Sequence, residues 1–177
     1  MITAEQFSQA YEQVTQDQKQ ELQRCLPKPP LYTGYVRQQI MPAIADILGC
    51  SMEAEYKRYD YVLRPLPDSQ NHADGRTDIA AAVEHENNFG GAHSEIIKLR
   101  ALNVPLGVLI TFMSVRRHQG QLAEYARLLE TRSDPPVAEQ PGEILVIIGP
   151  YGMTPPKVLA WEYFVFRGSG FQRLVVS

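Results

Sequence analysis

The run Pro105 to Phe112, Pro-Leu-Gly-Val-Leu-Ile-Thr-Phe, is nearly all apolar and constrains the fold more than any other segment. A strand with one wetted face alternates apolar and polar residues, so a run without alternation needs cover on both faces. It is too short for a membrane span, which takes about 20 apolar residues. Glu143 to Gly149 reads the same way. Buried strands of this kind require helices above and below a sheet, and segments with helical spacing lie on either side of them in the chain.

The first of these, Thr3 to Leu26, opens with the capping-box pattern Thr3-x-x-Gln6 and carries Phe7, Ala10, Tyr11, Val14, Leu22 and Leu26 at helical spacing. Its polar middle, Thr15 to Glu21, predicts a largely exposed helix, and Pro27, Pro29 and Pro30 end it. A second helix is expected over Gly34 to Leu48, kinked or restarted at Pro42 and stopped by Gly49. Glu53 to Arg64 reads as a strand, Pro65 to Arg76 as a loop, and Asp78 to Glu86 as the next strand. Ser94 to Asn103, with Ser94 as cap, and Gln119 to Glu130 read as helices; Ser133 to Gly142 reads as a loop. Val158 to Phe166 and Phe171 to Val176 close the chain as strands around a turn at Gly168 to Gly170, expected antiparallel at a sheet edge. The order implies an α/β domain with a mixed sheet. At 177 residues a single domain is expected, 1–177, with an N-terminal helix and proline-rich connection over 1–30 and C-terminal strands over 157–177.

Composition bounds the function only loosely. The net charge of −3 is not that of a protein coated in basic charge, as a general nucleic-acid binder usually is. The cations are grouped, however: Lys57-Arg58 with Arg64, Lys98 with Arg100, and Arg116-Arg117-His118. Such local patches can hold phosphates on an acidic protein, although a solvated face is the commoner role for each. Cys25 and Cys50 lack metal-ligand spacing and read as reduced thiols, and the polar start Thr3-Ala4-Glu5-Gln6 lacks a signal-peptide core. A cytoplasmic location without membrane partners is the expectation.

The chemistry concentrates at Ala82 to Asn88, Ala-Val-Glu-His-Glu-Asn-Asn. On a strand, Glu84 and Glu86 project on one face about 7 Å apart, and His85 points the other way. Like charges on one face call for a compensator, and a divalent cation is one. Asp60 adds a third carboxylate inside a predicted strand, where an acid is disfavoured. If the two strands pair antiparallel, Asp60 comes level with Glu84. Carboxylates with a backbone carbonyl, that of His85 for example, make the oxygen-rich site that Mg2+ or Mn2+ prefers. The competing reading puts Asp60 on an edge strand, paired with Arg58 or Lys57.

Rival constellations are weaker. His93 stands at +8 from His85, not at the +4 of a zinc-protease helix. Gly90-Gly91 could bind an anion through backbone amides but more often makes a turn. Trp161, Tyr163, Phe164 and Phe166 fit a packed strand better than a base-stacking platform. Arg116 and Arg117, with His118, follow the end of a sheet strand, from where they could contact phosphate.

Asp60, a loop, Val83-Glu84-His85-Glu86-Asn87 closing a strand, a helix over Glu95 to Asn103 and the apolar strand Pro105 to Phe112 together resemble the PD-(D/E)xK nuclease superfamily. The resemblance spans Gly34 to Phe112, with Arg116 to Glu130 as a following helix. It implies a restriction-endonuclease-like three-layer sandwich, with a mixed central sheet flanked by helices. It also implies Mg2+- or Mn2+-dependent hydrolysis of DNA or RNA phosphodiesters. Carried over, Asp60 and Glu84 are metal ligands, and Glu86 stands where the superfamily carries lysine, a Glu-x-Glu variant. Lys98 on the following helix is the candidate for a migrated lysine. The superfamily's three-strand meander requires a further strand, short within Pro65 to Arg76 or carved from Glu53 to Arg64. A catalytically inactive member of the same fold, serving as a binding module, is the second reading, and the apolar C-terminal strands could support a homodimer.

Overall fold

The computed structural model describes residues 1–66, 79–86, 91–101, 104–130, 142–150 and 160–176. Its centre is a seven-stranded sheet whose spatial order equals the chain order. The strands are β1 (Cys50–Tyr56), β2 (Tyr59–Pro65), β3 (Ala81–Glu86), β4 (Leu106–Met113), β5 (Glu143–Pro150), β6 (Glu162–Phe166) and β7 (Phe171–Leu174). β1, β2 and β3 form an antiparallel meander, β3, β4 and β5 run parallel, and β6 and β7 return antiparallel. The two parallel connections carry helices α5 (Ala92–Ala101) and α6 (His118–Glu130), as parallel pairing demands.

The predicted strand Glu53 to Arg64 is therefore two strands folded back on each other, which supplies the missing meander strand. Every residue of β4 is buried, as its unbroken apolar run requires. One sheet face, with Leu63, Val83, Val108 and Ile147, packs on the N-terminal helices; the other, with Val62, Ala82, Leu109 and Val146, packs on α5 and α6. The closing strands pair antiparallel at the edge as expected.

The N-terminal layer differs from the sequence reading in two ways. The first helix divides into α1 (Ala4–Asp17) and α2 (Lys19–Cys25) at Gln18, and it is not largely exposed. Phe7, Tyr11 and Val14 are buried in the core, and Thr15 donates its hydroxyl to the Glu12 carbonyl at 3.1 Å, which satisfies it there. The Thr3–Gln6 capping box forms as read, and the Ala4 N–H donates to Glu143 Oε2 at 3.0 Å, tying the helix start to β5. Second, Pro29 and Pro30 do not merely end a helix. They begin α3 (Pro29–Tyr35), where their missing N–H groups and preset φ are favourable. A π-helical turn, Val36–Ile40, then leads into α4 (Met41–Ile47). The wide turn absorbs Pro42, which cannot donate to a regular helical ladder.

No helix among the described residues is long and apolar enough to cross a membrane. The predicted loops Pro65 to Arg76 and Ser133 to Gly142 lie outside the described residues except at their ends, as does Gly90.

Candidate functional site

Asp60, Glu84 and Lys98 meet at the end of the sheet where β3 and β4 finish. The β2–β3 register, Tyr61 opposite Val83 and Val62 opposite Ala82, puts Asp60 level with Glu84 when continued by one residue. The ladder stops there, and the Asp60 side chain takes over: Oδ2 accepts the His85 backbone N–H at 2.8 Å. That bond occupies a donor which would otherwise be unpaired at the end of the strand.

Glu84 lies on the α5 face and is 2 % exposed. The Lys98 ammonium reaches it from α5, with Nζ 2.6 Å from Glu84 Oε1 and 2.5 Å from Glu95 Oε2. Nζ also donates to the Arg58 backbone carbonyl at 2.6 Å. Only the Arg58 contact has hydrogen-bond geometry; the two carboxylate contacts are close ion pairs, and Glu84 Oε1 and Glu95 Oε2 have no hydrogen-bond partner among the described residues. The cation stands 5.3 Å from the Tyr59 ring centroid, and the Tyr59 hydroxyl donates to the Lys98 carbonyl at 3.3 Å. One helical turn of α5, Glu95-x-x-Lys98, is thus clamped to both the β2 hairpin and the end of β3.

Burial dominates the electrostatics. It pushes the Glu84 carboxyl up to about 8, against the pull of Lys98 and with an added push from Asp60. Asp60 is raised by burial too, opposed by the His85 N–H and Lys98. Burial works to lower Lys98, but Glu84 and Glu95 outweigh it and leave the ammonium above its ordinary value. The site therefore retains a proton on a carboxyl near neutral pH that a stronger cation would displace.

Glu86 does not join this group. It shares the face of Glu84, but its carboxyl lies against Gly91, where a Cβ would sit 2.7 Å from Glu86 Cδ, and toward Tyr125 on α6. The expected Glu84–Glu86 pair is replaced by Glu84 and Glu95, brought together by the helix. Among the described residues, no group of three His, Cys, Asp or Glu is set to hold a metal ion. The oxygens of Glu84, Glu95, Asp60 and the Arg58 carbonyl nevertheless fit a hard cation by donor type. Lys98 holds the centre of that donor set. Glu95 escaped the sequence reading, although its i,i+3 spacing to Lys98 was a visible signal.

His85 points to the other layer, as alternation predicts. Its ring packs 5.1 Å from that of Tyr32 and 6.1 Å from that of Phe112, with Nε2 3.3 Å from the Tyr32 hydroxyl. Burial lowers its pKa to about 4. The folded protein then stays unprotonated here while the unfolded chain takes up a proton below its ordinary 6.5. The contribution is fully present above that value and lost as pH falls toward about 4, roughly 3 kcal/mol in all. Denaturant melts of the parent and His85→Phe should show their stability difference moving by that amount between neutral pH and about pH 4; a constant difference would exclude a neutral buried ring.

Of the other groups singled out, His118 is buried at the start of α6, with Nδ1 2.7 Å from Glu162 and Nε2 3.2 Å from the Met113 carbonyl. Arg116 and Arg117 are exposed at the same end of β4. Arg100 donates to the Leu128 carbonyl at 2.7 Å and joins α5 to α6. Ser94 is no cap: α5 already starts at Ala92, and the Ser94 hydroxyl donates to the Gly91 carbonyl at 2.7 Å. The aromatics expected to form a packed strand do so on both faces: Trp161 and Tyr163 pack in the N-terminal layer, and Phe164 and Phe166 pack against the α5–α6 layer. No family model, curated protein or solved structure matches the chain.

Proposed function

We propose that this site is the centre of a divalent-cation-dependent phosphodiester hydrolase acting on DNA or RNA, on a restriction-endonuclease-like, PD-(D/E)xK-type fold. The observation that carries the reading is the 2.6 Å contact between Lys98 and Glu84, which brings a helix-borne lysine to the acid at the end of the central strand. The meander, crossover helix and apolar strand support the same arrangement. Asp60 and Glu84, with Glu95 beside them, would hold Mg2+ or Mn2+. Such an ion supplies polarisation of a phosphoryl oxygen and a bound hydroxide near neutral pH. The chain's own residues do the rest. Asp60 is oriented by the His85 N–H, and Glu84 is held by burial with its proton ready to leave. Lys98, released from one carboxylate, can turn a donor toward the charge that develops on phosphate.

A specific observation favours the second reading, a binding module without catalysis: Lys98 is already ion-paired to both Glu84 and Glu95 and hydrogen-bonded to the Arg58 carbonyl. Calorimetric titration with Mn2+ separates the two. The parent should bind, and Glu84→Ala should bind more than tenfold more weakly, with Mn2+-dependent cleavage of DNA or RNA oligonucleotides lost in step. Equal, weak binding by both proteins would sink the hydrolase reading.

A further inference from the structure

The turn that joins β1 to β2 is built from the wrong residues for its backbone. Tyr56 pairs with Tyr59, so Lys57 and Arg58 are the two central residues of the hairpin turn. Their φ values are +47 and +80, and Glu55 before them has φ +58. Two positive φ angles define the turn that favours Asn-Gly, because a Cβ crowds the left-handed backbone. Here two long cations occupy it. The fold uses Arg58 through its main chain, whose carbonyl receives Lys98 at 2.6 Å. Glycine or asparagine would serve that contact equally well.

The side chains around the turn are engaged. Arg37 pairs with Glu55 at 2.5 Å, Arg64 with Glu53 at 3.4 Å, and Lys57 stands 5.1 Å over the Tyr56 ring. Arg58 is exposed, and its guanidinium has no hydrogen-bond or ion-pair partner among the described residues. It stands two residues from Asp60 and is fixed through its own carbonyl to the lysine that touches Glu84. A planar guanidinium is the side chain best matched to phosphate oxygens.

We propose that Arg58 is a phosphate-contacting residue of this site, and that the Lys57–Arg58 turn presents it to the sugar–phosphate backbone of a nucleic-acid strand lying across the Glu84 end of the sheet. The assignment rests on the nucleic-acid reading of the site and extends it to a named contact. An ordinary structural arginine and this one differ in what glycine does to them. At φ +80 glycine removes backbone strain, so Arg58→Gly should melt at or above the parent temperature while binding nucleic acid less well.

The probes are labelled duplex DNA, single-stranded DNA and single-stranded RNA of about 20 nucleotides, titrated over a salt series with Ca2+ in place of Mg2+. For the probe the parent binds, Arg58→Gly should lose roughly three- to tenfold in affinity, and the slope of log K against log salt should fall by about 1. Arg58→Asn, which also tolerates this backbone, should do the same. Arg24→Ala, on the opposite helical layer, should leave the slope unchanged. Parent-like affinity and slope in Arg58→Gly would overturn the assignment and leave the hydrolase reading standing, as would an equal loss in Arg24→Ala, which marks a general charge effect. A parent that binds none of the probes overturns the nucleic-acid reading and this contact with it.

Discussion

Glu84→Gln is expected to make the metal-free protein more stable at alkaline pH, by an amount on the order of a few kcal/mol. The reason is the cost of ionising a carboxyl that is 2 % exposed at the end of a central strand. Its folded value is about 8 against an ordinary 4.5. Between those values the folded state binds more protons than the unfolded state, so stability falls as pH rises through the interval. Below about pH 4.5 both states are protonated, and the glutamine variant and the parent should be nearly equally stable. Above about pH 8 the full difference should stand. Urea melts of both proteins across this range, with a chelator present, measure it. A variant less stable than the parent at every pH would mean that attraction to Lys98 outweighs burial. The variant that gains stability should also be the one that loses Mn2+, since both effects come from the same carboxylate.

Gly142→Ala is expected to cost about 3 kcal/mol or more, a fall in melting temperature of about 10 °C for a chain of this size. A Cβ at residue 142 would run into the carbonyl oxygens of Val104 and Pro105 and come within 2.6 Å of the Pro105 carbonyl carbon. Those are backbone atoms at the head of β4, and the Pro105 carbonyl also accepts the Glu143 N–H at 2.9 Å. Nothing there can swing aside as a flexible side chain would, so the register of β4 with β5 must give. Gly34→Ala is the control. It lies within α3, a Cβ there meets nothing within 4 Å, and alanine should stabilise by up to about 1 kcal/mol. If both substitutions proved neutral, the close approach at the start of β5 would be wrong.

Gly142 also shows where reading a sequence stops. It closes a proline-rich stretch, Ser133 to Gly142, so it passes for a loop residue, and its backbone is not left-handed. What requires glycine is the neighbouring strand, and no local pattern encodes that. The β1–β2 hairpin was hidden for a related reason. A turn signal depends on Gly or Asn at positive φ, and here Lys57 and Arg58 hold those angles with Lys98 bonded to the Arg58 carbonyl. The chain therefore read as one long strand. The π-helical turn before Pro42 is a third case, in which packing of Val36, Ile40 and Ile44 into the core carries a helix through a residue that disfavours it.

The sequence by itself determined the elements whose pattern is intrinsic. These include the fully buried β4, the apolar β5, the capped α1, the crossover helices, the antiparallel closing strands, and the alternation that sends Glu84 toward α5 and His85 into the aromatic layer. Period and burial are properties of a segment and can be read along it. The tertiary structure alone decided which charges meet. Glu84 and Glu86 are two residues apart on one face, yet Glu86 turns to Gly91, and Glu84 finds Glu95 and Lys98 across the crossover. A side chain's partner is chosen by distance in space, and between Glu84 and Lys98 that distance is set by the docking of α5 on the sheet.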